Sequence, residues 1–311
     1  MDRVKVVVSG GTGVIGRAAV RALVDADHEV EVLARSVANI ATIAGMGARP
    51  RSADLFDVDS LVSVYDGADV VVNLAGSAPV GYAAAWPTSW RRHDELRTRA
   101  VANVARAART AGVRKLVQES ASFVYADAGD RWITEQDPID ITPATEPLAV
   151  GESHVQDYAG ANHGAAGRSG VLLRFGTIIG DDRVTRFLMR AVANGRPIGI
   201  GRADRWSHLI HTDDLGGVVL AALAAPSGVY NVGAAPVLRG EMVEGFARAA
   251  GVESSGFLGP VLRRLAGART EPLSRSLRVS SAHFTAQTGW QPLRATFDPS
   301  WLDAALVTAD V

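Results

Sequence analysis

Val6-Val7-Val8-Ser9-Gly10-Gly11-Thr12-Gly13-Val14-Ile15-Gly16 decides the fold. A largely apolar run over residues 4–8 stops in small residues, and Val14, Ile15, Ala18, Ala19 and Leu23 then recur at three- and four-residue steps. That pattern reads as strand, tight turn and amphipathic helix. Gly10, Gly13 and Gly16 stand three residues apart. One glycine lets the chain bend, the next lets backbone approach a pyrophosphate, and the last lets helix pack on strand. The helix N-terminus adds free N–H groups and a partial positive charge for an anion. The strand before and the helix after supply the context that a dinucleotide-binding loop requires.

The alternation continues beyond the loop. Strands are expected over residues 29–34, 48–53, 68–74, 115–119, 170–174 and 228–232, with helices over 14–24, 37–46, 59–64, 90–111 and 150–166 between the earlier ones. The run Ala-Asp-Val-Val-Val-Asn-Leu at 68–74 is nearly all apolar, as in a parallel strand covered on both faces. Further helices are expected over 182–194, 214–224, 239–250, 261–266, 281–288 and 300–307. The fold class is therefore α/β, a Rossmann-type doubly wound parallel sheet with a small, mainly helical C-terminal substrate lobe. Residues 1–175 with 205–233 form the expected nucleotide-binding core, and 176–204 with 234–311 the lobe.

Composition removes several classes of function. The chain has 311 residues, enough for a large core, and at 47% apolar and 21% charged it is globular rather than disordered. A net charge of −1 leaves no electrostatic footprint for nucleic acid or an anionic membrane. The absence of cysteine removes disulfides, thiolate catalysis and cysteine-ligated zinc. No apolar run reaches the ~20 residues of a membrane span, and Met1-Asp2-Arg3 leads directly into the first strand, so a cytoplasmic protein is expected. Lysine occurs only at Lys5 and Lys115, against thirty arginines, and arginine cannot replace lysine in proton chemistry.

The second strand distinguishes the nucleotides. A carboxylate at its end would bind an adenosine ribose and repel a 2′-phosphate. Here Val30-Glu31-Val32-Leu33-Ala34 runs into Arg35-Ser36, two donors for a phosphate, and Glu31 sits too early. NADP(H) is the expected cofactor. Its cradle would comprise Gly10, Thr12, Gly13, Val14, Ile15 and Gly16, then Arg35 and Ser36. Asp54 and Leu55 stand near the adenine, and Leu74, Ala75 and Gly76 beside the nicotinamide ribose. A turn-capping role for Asp54 stays open.

Ser9-Gly10-Gly11-Thr12-Gly13-Val14-Ile15-Gly16, Asp54-Leu55, Asn73-Leu74-Ala75-Gly76 and Ser122-Phe123-Val124-Tyr125 resemble the short-chain dehydrogenase/reductase superfamily, extended type. Arg174-Phe175-Gly176, Leu209-Ile210-His211-Thr212-Asp213-Asp214 and Val229-Tyr230-Asn231-Val232-Gly233 continue the signatures of NAD-dependent epimerase/dehydratase-like proteins in order. The resemblance implies a Tyr-x-x-x-Lys pair on the helix after the fifth strand, where lysine lowers the tyrosine pKa for proton transfer. Residues 144–153, Ala-Thr-Glu-Pro-Leu-Ala-Val-Gly-Glu-Ser, contain neither, and the fourth residue after Tyr158 is Asn162. The usual serine of the resemblance falls on Ala121, flanked by Ser120 and Ser122.

Glu119, Ser120, Ser122 and Tyr125 are then the catalytic candidates, with Asp127 nearby. Glu119 has the alternative reading of a paired structural carboxylate, and Tyr125 that of a packing aromatic. Glu152 and His154 offer a general base or a solvated helix face. The resemblance makes the aspartate of His211-Thr212-Asp213-Asp214 a helix cap, and His208 with His211 lacks a third ligand near in sequence, so no metal is expected. Trp86, Trp90, Arg91, Arg92, His93, Asp94 and Arg97 could line a pocket or open an amphipathic helix, with Phe187, Leu188 and Trp206 adding apolar walls. The expected function is reduction or oxidation of a small organic molecule, in secondary metabolism, by an atypical family member. A non-redox cyclase, isomerase or dehydratase and a non-catalytic NADP(H)-sensing regulator are the alternatives, and a homodimer is the oligomer considered.

Overall fold

The computed structural model describes residues 3–160, 167–259 and 268–307. β1 (Lys5–Ser9) leads through the glycine turn into α1 (Val14–Asp25). β2 (Glu29–Leu33), α2 (Val37–Gly45), β3 (Arg49–Arg51), α3 (Val58–Tyr65) and β4 (Val70–Asn73) repeat that alternation. Next come α4 (Arg91–Glu95), a π-helical turn (Leu96–Ala100), α5 (Val101–Thr110), β5 (Lys115–Ala121), α6 (Glu146–Ala159) and β6 (Ser169–Phe175). The expected single helix over 90–111 is therefore interrupted by one wide turn. Such bulges are frequent at functional sites, and this one carries the buried Arg97.

With β10 (Gly228–Val232) these strands form a seven-stranded sheet in the order β10-β6-β5-β4-β1-β2-β3. Every pairing in it is parallel. The order reverses between β1 and β4, and ligands of open α/β sheets bind outside the carboxyl ends of the strands at such a point. Valines of β1 and β4, and Val117 with Leu116 on β5, alternate between two cores, one against α1 and α8 (Leu215–Ala222), the other against α3, α5 and α6. This covering of both faces explains the uninterrupted apolar strands.

The rest of the chain includes β7 (Thr177–Ile179), α7 (Arg183–Ala193), β8 (Trp206–Ser207), β9 (Leu209–His211), β11 (Val237–Leu238), α9 (Arg239–Ala249), α10 (Ala282–Thr288) and α11 (Asp303–Val307). A third core joins α7, α9 and the C-terminal turns around Met189, Phe246, Trp301 and Leu302. The helix expected over 261–266 lies outside the described residues. Among those residues no helix is long and apolar enough to cross a membrane.

β5 ends at Ala121, and residues Ser122–Val124 wind into a 3-10 turn, so Ser122 stands outside the strand that carries Ser120. One local reading is corrected. Asp214 precedes α8 without capping it. Its carboxylate accepts from the backbone N–H groups of Leu293 (2.5 Å) and Arg294 (3.4 Å), fastening the C-terminal segment to the core.

Candidate functional site

The glycine loop has the geometry of an anion cradle. Gly10 adopts φ +77°, and a Cβ there would lie 2.4 Å from the Leu74 carbonyl, so the bend and the approach to β4 both require glycine. A Cβ on Gly16 would meet the Gly10 carbonyl at 2.1 Å. Gly16 thus packs on the loop itself rather than on the strand. Gly13 is exposed and caps α1 without a side chain, which leaves the first N–H groups of the helix for a ligand. Ile15 turns its side chain into the core, so only its backbone faces the loop.

Glu31 is fully buried and held by Arg51 at 2.9 Å, with Arg49 at 3.4 Å and Lys5 at 3.8 Å. It is therefore spent inside the sheet. Arg35 beyond it is exposed and enters no ion pair among the described residues. Ser36 accepts the Asn39 N–H at 3.2 Å as the cap of α2, leaving its hydroxyl proton free to donate. Asp54 accepts the Phe56 N–H at 3.0 Å, which is the turn-forming alternative. The half-buried Leu55 gives its carbonyl to Asn103, and Leu74 and Ala75 are buried with Gly76 exposed beyond them.

Register carries polar groups across the sheet edge. Ser9, Asn73 and Gln118 are neighbours on β1, β4 and β5. Ser9 Oγ donates to Asn73 Oδ1 at 2.8 Å, and Asn73 Nδ2 donates to Gln118 Oε1 at 2.7 Å. Glu119 follows and pairs with Arg97 at 2.5 Å, while the same guanidinium also donates to the Glu119 carbonyl. The pair lies against Gly76, where a Cβ would stand 3.2 Å from Arg97 Nη2.

A second register row comprises Ser120 on β5, Arg174 on β6 and Asn231 on β10. α6 lowers Glu152 onto this row. Ser120 Oγ donates to Glu152 Oε1 at 2.6 Å, and Arg174 reaches both carboxylate oxygens, Nε at 2.9 Å and Nη2 at 2.6 Å. Tyr125 lies with its ring 4.7 Å from the Arg174 guanidinium and donates to Asn231 Oδ1 at 2.8 Å. Burial pushes the Tyr125 phenol up to about 12, although Arg174 pulls the other way. Glu152 is 4% exposed, so the solvated-face reading fails for it, while His154 is half-buried. Leu148, one turn earlier, is buried too. Tyr158 donates to the Val113 carbonyl. Both lysines begin parallel strands, at the opposite end of the sheet from this site.

Ser122 takes a different partner. Its Oγ lies 3.0 Å from His208 Nδ1, a contact between residues 86 apart that no local pattern reveals. Burial holds His208 down to about 3, so its ring is neutral, and Nε2 has no hydrogen-bond partner among the described residues. Ser122 and His208 line a water-sized cleft of about 30 Å3, with Phe123, Thr177 and Trp206 among the other walls. The remaining apolar candidates are dispersed. Trp86 is exposed, Trp90 donates to the Ala84 carbonyl, Phe187 packs on Tyr82, and Leu188 joins the third core. Asp94 is clasped by Arg269 at 2.9 and 2.6 Å.

The model of the NAD dependent epimerase/dehydratase family matches residues 6–233. A protein of a Streptomyces species named 3-diazoavenalumate denitrifying reductase is 28% identical over 315 residues, covering 96% of this chain and 98% of its own. Among solved structures, human epimerase family protein SDR39U1 with NADPH superposes with a TM-score of 0.78 at 22% identity, covering 97% of this chain and 99% of that one. MoeE5 in complex with UDP-glucose and NAD gives a TM-score of 0.75 at 22% identity, covering 97% of both chains. The glycine turn, the parallel sheet and the ordered signatures thus converge with the family match, and the chain belongs to the NAD-dependent epimerase/dehydratase family.

Proposed function

We propose that this chain is an NADP(H)-dependent reductase of a small organic substrate that accepts hydride without needing a proton from a tyrosine–lysine pair. One observation carries the reading. On α6 a leucine and a glutamate, Leu148 and Glu152, stand four residues apart on the side facing the site, and Glu152 is clamped by Arg174 and Ser120. A carboxylate so paired is a poor proton donor, and a tyrosine with its phenol near 12 is a poor one too.

The residues present fit the cofactor. The exposed Gly13 and the uncapped start of α1 suit a pyrophosphate, and the exposed Arg35 with Ser36 suits a 2′-phosphate. Asp54, Leu55 and the Leu74–Ala75–Gly76 backbone would flank the rest of the nucleotide. Bound there, the nicotinamide supplies hydride. The chain's own part is to orient the substrate and exclude water, with Ser122 as its hydrogen-bonding group and Glu119, Ser120 and Tyr125 as the positioning frame.

The Streptomyces relative's name supplies a fitting substrate class, a diazo compound. An aryl diazonium accepts hydride as its C–N bond breaks. N2 leaves with the bonding pair, the arene gains hydrogen, and the lost positive charge reappears on the oxidised nicotinamide. No proton enters that balance. The test is incubation of the purified chain with NADPH and benzenediazonium. The expected result is NADPH oxidation matched one to one by N2 release above the enzyme-free rate. N2 release without NADPH oxidation, or no NADPH binding by fluorescence titration, defeats the proposal.

A further inference from the structure

Glu119 keeps one carboxylate oxygen free at the open edge of the sheet. Val117, two residues earlier on β5, packs in the core beneath α1, so Glu119 stands on that same face of the strand. Past Val117 the face is uncovered. Glu119 and Ala121 are half-buried, whereas Ser120 between them, turned to α6, is 2% exposed. The uncovered strip thus lies on the side of the sheet that carries the glycine loop and the start of α1.

Arg97 fixes this carboxylate. The π-turn holds its guanidinium almost wholly out of solvent, and both terminal nitrogens go to the one residue, Nη2 to Oε1 at 2.5 Å and Nη1 to the backbone carbonyl at 2.9 Å. Among the described residues no donor reaches Oε2. That oxygen lies beside the exit of β4. A Cβ on the exposed Gly76 would stand 3.8 Å from Oε2 and 3.2 Å from Arg97 Nη2, so glycine keeps the approach to the pair open. The sheet order reverses next to β4, and a dinucleotide held by the glycine loop crosses the strand ends at that reversal. A carboxylate pinned through one oxygen and free at the other is an acceptor for a hydroxyl pair, and a ribose offers two adjacent hydroxyls.

We propose that Glu119 binds the ribose hydroxyls on the nicotinamide side of the nucleotide, and that Arg97 is the residue that positions it. The proposal rests on reading the chain as an NADP(H) protein. It gives the nicotinamide half an anchor of its own, separate from the glycine loop and from Arg35.

The experiment is calorimetric titration of the full chain with NADP+ and with adenosine 2′,5′-bisphosphate, which keeps the adenosine end and lacks the nicotinamide ribose. Glu119→Gln puts a neutral amide in place of the carboxylate. It is expected to weaken NADP+ about tenfold, the difference between a charge-assisted and a neutral hydrogen bond, and to leave the bisphosphate unchanged. Glu119→Asp keeps a charge for Arg97 and withdraws the free oxygen by one methylene. It is expected to act in the same direction, and it decides the matter should Glu119→Gln fail to fold. Unchanged NADP+ affinity in the variants overturns the proposal. Equal weakening of NADP+ and the bisphosphate overturns it too, since Glu119 would then serve the fold rather than the ribose. A wild-type chain that binds neither ligand overturns the NADP(H) reading and this proposal with it, whereas a wild type that binds both, beside variants that bind both equally well, counts against Glu119 alone.

Discussion

Glu152 and Arg174 meet through two parallel hydrogen bonds, 2.9 and 2.6 Å, with both side chains almost wholly out of solvent. Such a pair is costly to break from one side, because the surviving charge stays buried. Glu152→Ala is expected to lower unfolding free energy by about 3–5 kcal/mol. Glu152→Gln, which can still meet Ser120 and Arg174, is expected to lose about 1–3 kcal/mol. Urea denaturation at neutral pH measures both. A loss below about 1 kcal/mol for the alanine variant would show that α6 is not anchored by this pair.

Tyr125 separates a catalytic from a framing role. Its hydroxyl is committed to Asn231, and its ring covers Arg174. Tyr125→Phe keeps the ring and removes one buried hydrogen bond, so a stability loss of about 1–2 kcal/mol is expected, with kcat within about threefold of wild type. A kcat fall of about a hundredfold with unchanged stability would instead make the phenol the proton donor.

Acid sensitivity follows from two histidines. Burial holds His208 near 3, and burial with Arg97 and Arg269 does the same for His93. Both folded pKa values lie below the unfolded value, so between about pH 6.5 and about pH 3 the unfolded chain binds protons that the fold refuses. Each histidine therefore erodes stability as pH falls through that window, by up to about 1.4 kcal/mol per pH unit. Asp182 and Asp214, raised chiefly by burial, act in the opposite sense, since the fold takes up their protons first. His208→Gln removes one of the two histidine contributions. The slope of unfolding free energy against pH, measured between about pH 6 and about pH 4, should be shallower than wild type. An unchanged slope would mean that His208 is charged or accessible in the fold.

What the sequence disclosed divides by range. The glycine turn, the strand–helix alternation and the switch from Glu31 to Arg35 are local patterns, and a doubly wound parallel sheet follows from them. The π-turn around Arg97 is invisible because Leu96 to Ala100 have ordinary helical composition. The Ser122–His208 contact and the Arg97–Glu119 pair join residues 86 and 22 positions apart, and composition cannot pair them. Glu152 was legible as a polar residue on a helix, but its burial depended on Arg174 arriving from the next strand. Ser120 and Ser122 were legible as neighbours of the reaction edge. The strand's end at Ala121 sends them to different partners.

Arg35 bears on the nucleotide. It stands just beyond β2, exposed and without an ion pair among the described residues, while the only carboxylate on that strand past its first residue, Glu31, is consumed by Arg51, Arg49 and Lys5. A guanidinium on a 2′-phosphate makes charge-assisted bonds of about 1.5–3 kcal/mol, equivalent to about a ten- to hundredfold change in Kd. Arg35→Ala is therefore expected to weaken NADPH by that factor and leave NADH unchanged. Arg35→Asp should invert the preference, because a carboxylate repels the phosphate and accepts from the free ribose hydroxyls. Neither substitution touches a buried group, so melting temperature should hold. Fluorescence titration with both nucleotides reads the outcome, and equal weakening of NADPH and NADH would place Arg35 on the shared part of the nucleotide instead.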